Sequence, residues 1–413
     1  MNNRKIPVLL LTGYLGSGKT TLVNRILSNK QGIRFAVIVN DLGEVNIDAE
    51  LIQQGGVVGQ DDDSLVALQN GCICCTLKMN LVEQLRGLVE ENRFDYIVIE
   101  ASGICEPEPI AQTICSIPYM EAKYRENGLP VLDCIVTVVD AVRMRDEFCD
   151  KDLATNHFQE EDLENLIIQQ IEFCDRILLN KASEVSPDML GKIQALLRAL
   201  QPKAEIIPCD YGDVPLEKLL DTGLFNFDRT STSAAWVRVV ENIQDEDEEH
   251  EHEHEHEHEH EHEHEHEHEE GHDGHGHHHH HHHHADEGEA EEYGISTFVY
   301  KAHAPFQIDL FDDFVNRYLI RKIIRSKGTC YFRNDMENCY VFDQVGKQVV
   351  LREAGQWYAT MPQSELEPFL QRHPEVLQDW DETYGDRMQK LVFIGQHLEP
   401  ETLREWLDRC LVE

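Results

Sequence analysis

The chain has 413 residues, 41% of them hydrophobic, which is enough for two packed domains and a linker. Its formal charge is −42, and setting aside residues 245–292, which hold 22 acidic side chains and no Lys or Arg, still leaves 56 acids against 36 bases, or −20. An acidic balance of that size argues against a nucleic-acid partner, and no stretch of 18 apolar residues could span a membrane.

Met1 leads directly into the apolar run Ile6–Leu11 with no signal-peptide pattern, so the expected compartment is the cytoplasm. Ile6–Leu11, Phe35–Val39, Tyr96–Ile99, Cys134–Val139 and Arg176–Leu179 are short, rich in β-branched residues and bounded by turn formers. They read as buried parallel strands. Thr20–Leu27, Leu81–Val89, Leu163–Ile171 and Pro187–Leu200 carry helical periodicity between them. The alternation predicts a doubly wound, mostly parallel α/β fold over residues 1–228, with Ala204–Cys209 as a further strand.

Residues 229–292 read as a disordered linker. Ten Glu-His repeats run from Glu249 to His268, and His277–His284 is unbroken histidine. Twenty of the 24 histidines lie between His250 and His284. Such a segment cannot build a core, but it can bind metal weakly at many imidazoles. A solubilising acidic spacer is the plainer reading.

Residues 293–413 predict a small α+β domain. Its order is strand Ile295–Tyr300, helix Ile308–Arg325, strands Thr329–Phe332, Cys339–Phe342, Gln348–Glu353 and Leu391–Gly395, then helix Glu401–Leu411. No catalytic pattern marks this part. The 12 cysteines are mostly isolated in apolar runs, as at Cys134 and Cys174, which suits reduced, buried thiols.

Three constellations carry chemistry. The first is Gly13-Tyr-Leu-Gly16-Ser17-Gly18-Lys19-Thr20, a full phosphate-loop pattern between an apolar strand and a helix. Its glycines let successive N–H groups face a phosphate at a helix N-terminus. Lys19 would neutralise β/γ oxygens, and the Thr20 hydroxyl would ligate Mg²⁺. Glu100 follows the apolar run Tyr96–Ile99 at the carboxyl end of a central strand, where ligands bind in open α/β sheets. It could hold Mg²⁺ through water, and Gly103 could offer its N–H to the γ-phosphate.

The second is Asn180-Lys181-Ala-Ser183, after another apolar strand. Asn-Lys-x-Asp reads guanine through the Asp carboxylate. Ser183 occupies that position, which weakens guanine preference. The third is Gly71-Cys72-Ile-Cys74-Cys75, three thiols within four residues. Soft thiolates suit Zn²⁺ or Cu(I), and three ligands leave a fourth position open for transfer. A redox dithiol and buried structural cysteines are the alternatives. Asp41 and Glu44, beyond the second strand, could touch Mg²⁺, orient water or complete the metal site.

Taken in order, Gly13–Thr20, Asn40–Asp48, Asn70–Cys75, Glu100–Gly103 and Asn180-Lys181 resemble the CobW-type GTPases of the SIMIBI class, cousins of the urease and hydrogenase nickel-insertion GTPases. The resemblance covers about the first 210 residues. Arg325-Ser-Lys-Gly328 and Leu391–Gly395 resemble the CobW C-terminal domain. It implies GTP hydrolysis coupled to delivery of zinc to an apo-metalloenzyme client, with metal on Cys72, Cys74 and Cys75. By matching position, Gly13 to Thr21, Asn180 and Lys181 would hold nucleotide; Ser102 and Gly103 are further nucleotide-binding candidates, and Lys19, Asp41, Glu44 and Glu100 are the candidate catalytic residues. The docking peptide Cys-Pro-x-Leu-Val of the eukaryotic branch has no counterpart in Met1–Ile6, so that branch's client is not implied. Nickel or cobalt delivery, including a role in cobalamin synthesis, and metal storage on the histidine tract stay open, as does the oligomeric state.

Overall fold

The computed structural model describes residues 4–28, 32–39, 78–149, 161–232, 234, 237, 293–319, 323–346, 348–377 and 379–412. Six strands form the first sheet: β1 (Lys5–Thr12), β2 (Phe35–Val39), β3 (Tyr96–Glu100), β4 (Leu129–Asp140), β5 (Arg176–Asn180) and β6 (Glu205–Pro208). Their spatial order is β2-β3-β1-β4-β5-β6, and all pairings are parallel. Every residue of β2, β3 and β5 is buried, which is why those runs show no alternation in sequence.

The helices cover both faces, as a doubly wound sheet requires. α1 (Lys19–Leu27) packs Leu22, Val23 and Ile26 against one face with Leu219 and Leu220. α2 (Lys78–Glu90), α3 (Pro107–Ser116), α4 (Glu161–Glu172) and α5 (Pro187–Leu200) contribute Leu85, Ile110, Ile168 and Leu196 to the other. The short α6 (Phe227–Ser231) follows, with the Thr230 hydroxyl donating to Asp175 at 2.6 Å. α3 has no counterpart among the expected helices. Pro107 and Pro109 lie in its first turn, where their missing N–H groups have no intrahelical acceptor to serve, yet in sequence they read as loop.

The second sheet is antiparallel, in the order β10-β9-β8-β11-β7. Its strands are β7 (Ile295–Ala302), β8 (Ile323–Phe332), β9 (Asp335–Val345), β10 (Gln348–Gln356) and β11 (Gln389–Gln396). One face packs on α7 (Ile308–Phe314) and α9 (Pro400–Asp408) through Phe306, Phe311, Phe314, Leu403 and Leu407. Ile295, Ile324, Val345 and Ile394 of the sheet join the core cluster that holds Ile167 and Ile168 of α4.

Two expectations for this sheet are corrected. The helix expected over Ile308–Arg325 ends in a wide turn at Val315–Leu319, and Ile323 opens β8 instead. Ile323-Ile324 continues a helical spacing, but β11 pairs Arg325 with Ile394 and takes that segment into the sheet. The order also includes α8 (Gln363–Arg372), unexpected because Pro368 lies inside it. Cys134 and Cys174 are buried thiols that form no disulfide.

Candidate functional site

The parallel order sends the carboxyl ends of all six strands to one edge. Leu11 and Val39 both lie opposite Glu100, Thr12 lies opposite Thr137, and Asp140 lies opposite Asn180. β1 sits between β3 and β4, so the loop after β1 emerges where neighbouring connections diverge.

That loop is held in an unusual backbone conformation. Gly13, Gly16 and Gly18 have φ of 131°, 79° and 108°, values that L side chains avoid. Space adds a second constraint at two of them. A Cβ on Gly13 would run into the Val138 carbonyl, and one on Gly18 would run into the Asn180 amide. Lys19 is buried and folds back over the loop, its Nζ donating to the carbonyls of Gly13 at 2.8 Å and Tyr14 at 3.2 Å. Ser17 Oγ is buried and has no hydrogen-bond partner among the described residues. An unsatisfied buried hydroxyl beside curled amides suits an oxyanion.

Thr20 Oγ1 donates to Glu100 Oε1 at 2.8 Å, joining the start of α1 to the end of β3. A hydroxyl and a carboxylate at that spacing are suitable oxygen donors for Mg²⁺, directly or through water. Ser102 and Gly103 are buried in the turn that follows. A Cβ on Gly103 would press on Leu15 of the phosphate loop, so glycine there lets the two loops meet. Thr21 is exposed on α1.

Asn180 is the hinge between two loops. Its Nδ2 donates to the Ser17 carbonyl at 2.8 Å, and its Oδ1 accepts from Gly212 N at 3.2 Å and from Cys209 Sγ. Burial pushes the Cys209 thiol up to about 11, so it stays protonated and able to donate near neutrality. Lys181 adopts φ 59° and pairs through Nζ with Asp140. Asp140 also caps the following turn, accepting from Val142 N and Arg143 N at 2.9 and 3.2 Å.

Several contributors were not anticipated. Asp140 ends an apolar strand just as Glu100 does, so the strand-end argument could have found it. Gln170 is buried on α4 and donates to the carbonyls of Cys105 at 3.0 Å and Gly103 at 3.4 Å. Nothing local in the sequence signals that role. Asp41, Glu44, Cys72, Cys74 and Cys75 lie outside the described residues, as does the histidine tract.

A phosphate loop after the central strand of a parallel sheet, with a threonine–glutamate pair and a strand-end Asn-Lys at its mouth, defines a P-loop nucleotide-binding protein. Residues 7–208 match the CobW/HypB/UreG nucleotide-binding domain, and residues 295–411 match the cobalamin synthesis protein cobW C-terminal domain. The chain belongs to the CobW family. A zinc-regulated GTPase metalloprotein activator of Dictyostelium discoideum is 32% identical over 424 residues, covering 99% of this chain and 80% of that protein. The zinc chaperone CobW of Pseudomonas aeruginosa is 33% identical over 232 residues, 52% of this chain and 60% of that one. The zinc chaperone YjiA of Escherichia coli is 33% identical over 236 residues, 55% of this chain and 65% of that one. Among the described residues no helix is long and apolar enough to cross a membrane.

Proposed function

We propose that this GTPase is a metallochaperone that binds zinc at Cys72, Cys74 and Cys75 and passes it to an apo-metalloprotein client. The observation that carries the reading is the shared strand edge. Val39 ends β2 beside Glu100, and Glu100 is bonded to Thr20 of the phosphate loop. In sequence, Asp41, Glu44 and the three cysteines lie between Val39, which ends β2 at that edge, and Lys78, which opens α2. A metal-binding segment anchored there can answer to the γ-phosphate. The names of the relatives, zinc chaperones and zinc-regulated GTPase activators, support zinc as the cargo.

In this reading the backbone of Gly13, Gly16, Ser17, Gly18 and Thr21 cradles the phosphates, and Lys19 unfolds from its own loop carbonyls to meet them. Thr20 and Glu100 hold Mg²⁺, which when bound neutralises charge on the phosphate oxygens. Ser102 and Gly103 meet the γ-phosphate, and Asn180 and Lys181 hold the base. Asp41 and Glu44 orient water or complete the metal site. Delivery requires that the metal be held differently in the two nucleotide states, and about 1–3 kcal/mol of coupling, roughly 5- to 150-fold, is sufficient.

The test is zinc affinity by chelator competition, with a GTP analogue and then with GDP. One tight site is expected, changing at least fivefold between states and vanishing in C72A/C74A/C75A while nucleotide binding remains. Tight zinc in the triple variant, or equal affinity in both states, would overturn the reading. The twenty clustered histidines favour a second reading, a zinc or nickel store whose release the GTPase times. Deleting residues 245–292 separates the two. A store loses most of its capacity, whereas a chaperone keeps its tight site.

A further inference from the structure

Ser183 stands where a guanine-reading loop needs a carboxylate. Guanine presents two donors along one edge, the N1–H and the exocyclic amine. A serine hydroxyl cannot accept from both, whereas a carboxylate can. The structure brings a carboxylate to that position from another strand end. Asp210, in the loop after β6, accepts at Oδ1 from Ser183 N at 3.0 Å and from Ser183 Oγ at 2.9 Å. Its Oδ2 accepts no hydrogen bond from any described residue, and the side chain is only half-buried.

Asp210 is also held in place by its neighbours. Cys209 N donates to the Leu179 carbonyl at 2.9 Å, and Ala182 N donates to the Cys209 carbonyl at 3.1 Å. Gly212 N closes the other side on Asn180 Oδ1. Cys209, Asp210 and Gly212 are therefore each bound to the segment Leu179–Ser183, with Asp210 between the other two. Position 183 supplies the two donors that orient the carboxylate, and position 210 supplies the charge.

We infer that Asp210 is the guanine-specificity residue of this chain, accepting the N1–H and exocyclic amine of the base. The inference rests on the guanine-nucleotide reading above. A charged acceptor facing two donors is the arrangement that discriminates most strongly between bases, because an analogue lacking one donor leaves the carboxylate under-satisfied.

The experiment is equilibrium competition of GDP, inosine diphosphate, xanthosine diphosphate and ADP on the full chain and on Asp210→Asn. The wild-type chain is expected to prefer GDP over inosine diphosphate by about tenfold or more. In Asp210→Asn that preference should collapse while xanthosine diphosphate gains, because an amide can donate to the xanthine C2 carbonyl where a carboxylate cannot. The double variant S183D/D210S returns a carboxylate to the loop pair and should recover GDP over inosine diphosphate. An unchanged ratio among the four nucleotides in Asp210→Asn would overturn the assignment, as would an equal loss of all four, which would mark Asp210 as only a support for Ser183. Equal binding of GDP and ADP by the wild-type chain is a different failure, because it removes the guanine-nucleotide reading itself and this inference with it.

Discussion

Arg325 of β8 donates from Nε to Glu172 Oε1 at 2.8 Å, and neither side chain is more than 7% exposed. The same guanidinium pairs with Asp343 of β9, which Lys327 also contacts at 3.2 Å. The pair joins the second sheet to α4, a helix that packs on the first. Glu172 ends α4, two residues after Gln170, whose amide holds the turn at Gly103 and Cys105. One helix thus touches the loop after Glu100 at one point and the second sheet at the next.

Removing Arg325 would leave Glu172 buried without its charge partner and Asp343 with Lys327 alone. Arg325→Ala is expected to destabilise the protein by about 3–5 kcal/mol. Urea denaturation should show the midpoint falling accordingly. An unchanged midpoint would mean that solvent reaches the triad and that the junction is looser than these distances imply.

Acid should weaken the same junction. Burial alone would raise the Asp343 carboxyl, but the charges of Arg325 and Lys327 outweigh it and hold the group below its ordinary 3.8. A depressed folded value means that the contribution is fully present above the unfolded value. It is lost as pH falls through the folded one. Denaturation midpoints measured from pH 6 to pH 3 should be flat at first and then drop below about 4. Asp343→Asn should start lower and depend less on acid, so the two curves converge. Parallel curves would show that Asp343 contributes nothing to the acid limb.

Asn180 satisfies Ser17 O and Gly212 N together, so Asn180→Ala strands both groups. The expected cost is about 1–3 kcal/mol, with weaker nucleotide binding because the phosphate loop loses its anchor. Thermal melting and nucleotide titration on the same variant would check both. If melting is unmoved while binding falls, Asn180 acts on the ligand alone.

The phosphate-loop glycines should differ in their tolerance. Gly16 has φ 79°, but a Cβ added there would meet nothing within 4 Å, so Gly16→Ala meets only backbone strain, about 1–2 kcal/mol. Gly13→Ala adds a collision with the Val138 backbone, which cannot move without shifting β4. Gly13→Ala should therefore melt lower and lose nucleotide binding, with Gly16→Ala intermediate. The reverse order would show that the loop relaxes at Gly13.

Lys19→Ala removes the cation of the phosphate loop. GTP turnover is expected to fall at least about 100-fold in kcat/KM, read by phosphate release, while residual nucleotide binding reports that the fold survives. Turnover within a fewfold of wild type would take Lys19 out of the phosphate site.

Much of the fold could be read locally. The apolar runs at Ile6–Leu11, Phe35–Val39 and Arg176–Leu179 became β1, β2 and β5 within a residue or two. The helices Pro107–Ser116 and Gln363–Arg372 were not expected because Pro109 and Pro368 lie past their first positions, where proline reads as a breaker, whereas α5, with proline only at its start, was expected. Ile323–Arg325 read as helix because a sheet edge recruits it only when β11 lies alongside.

By itself the sequence determined most of the elements and marked the loops that carry candidate chemistry: the glycine spacing at 13–18, Lys19 and Thr20, the strand-end acid Glu100 and the Asn180-Lys181 pair. Those signals act within a few residues, where backbone sterics and hydrophobic period decide the outcome. Only the tertiary structure decided which loops meet. The order β2-β3-β1-β4-β5-β6 sets Thr20 against Glu100, Asn180 against Ser17 and Asp210 against Ser183, and packing of the second sheet on α4 sets Arg325 against Glu172. Strand order depends on burial of both sheet faces by the whole domain, so no short window of sequence contains it.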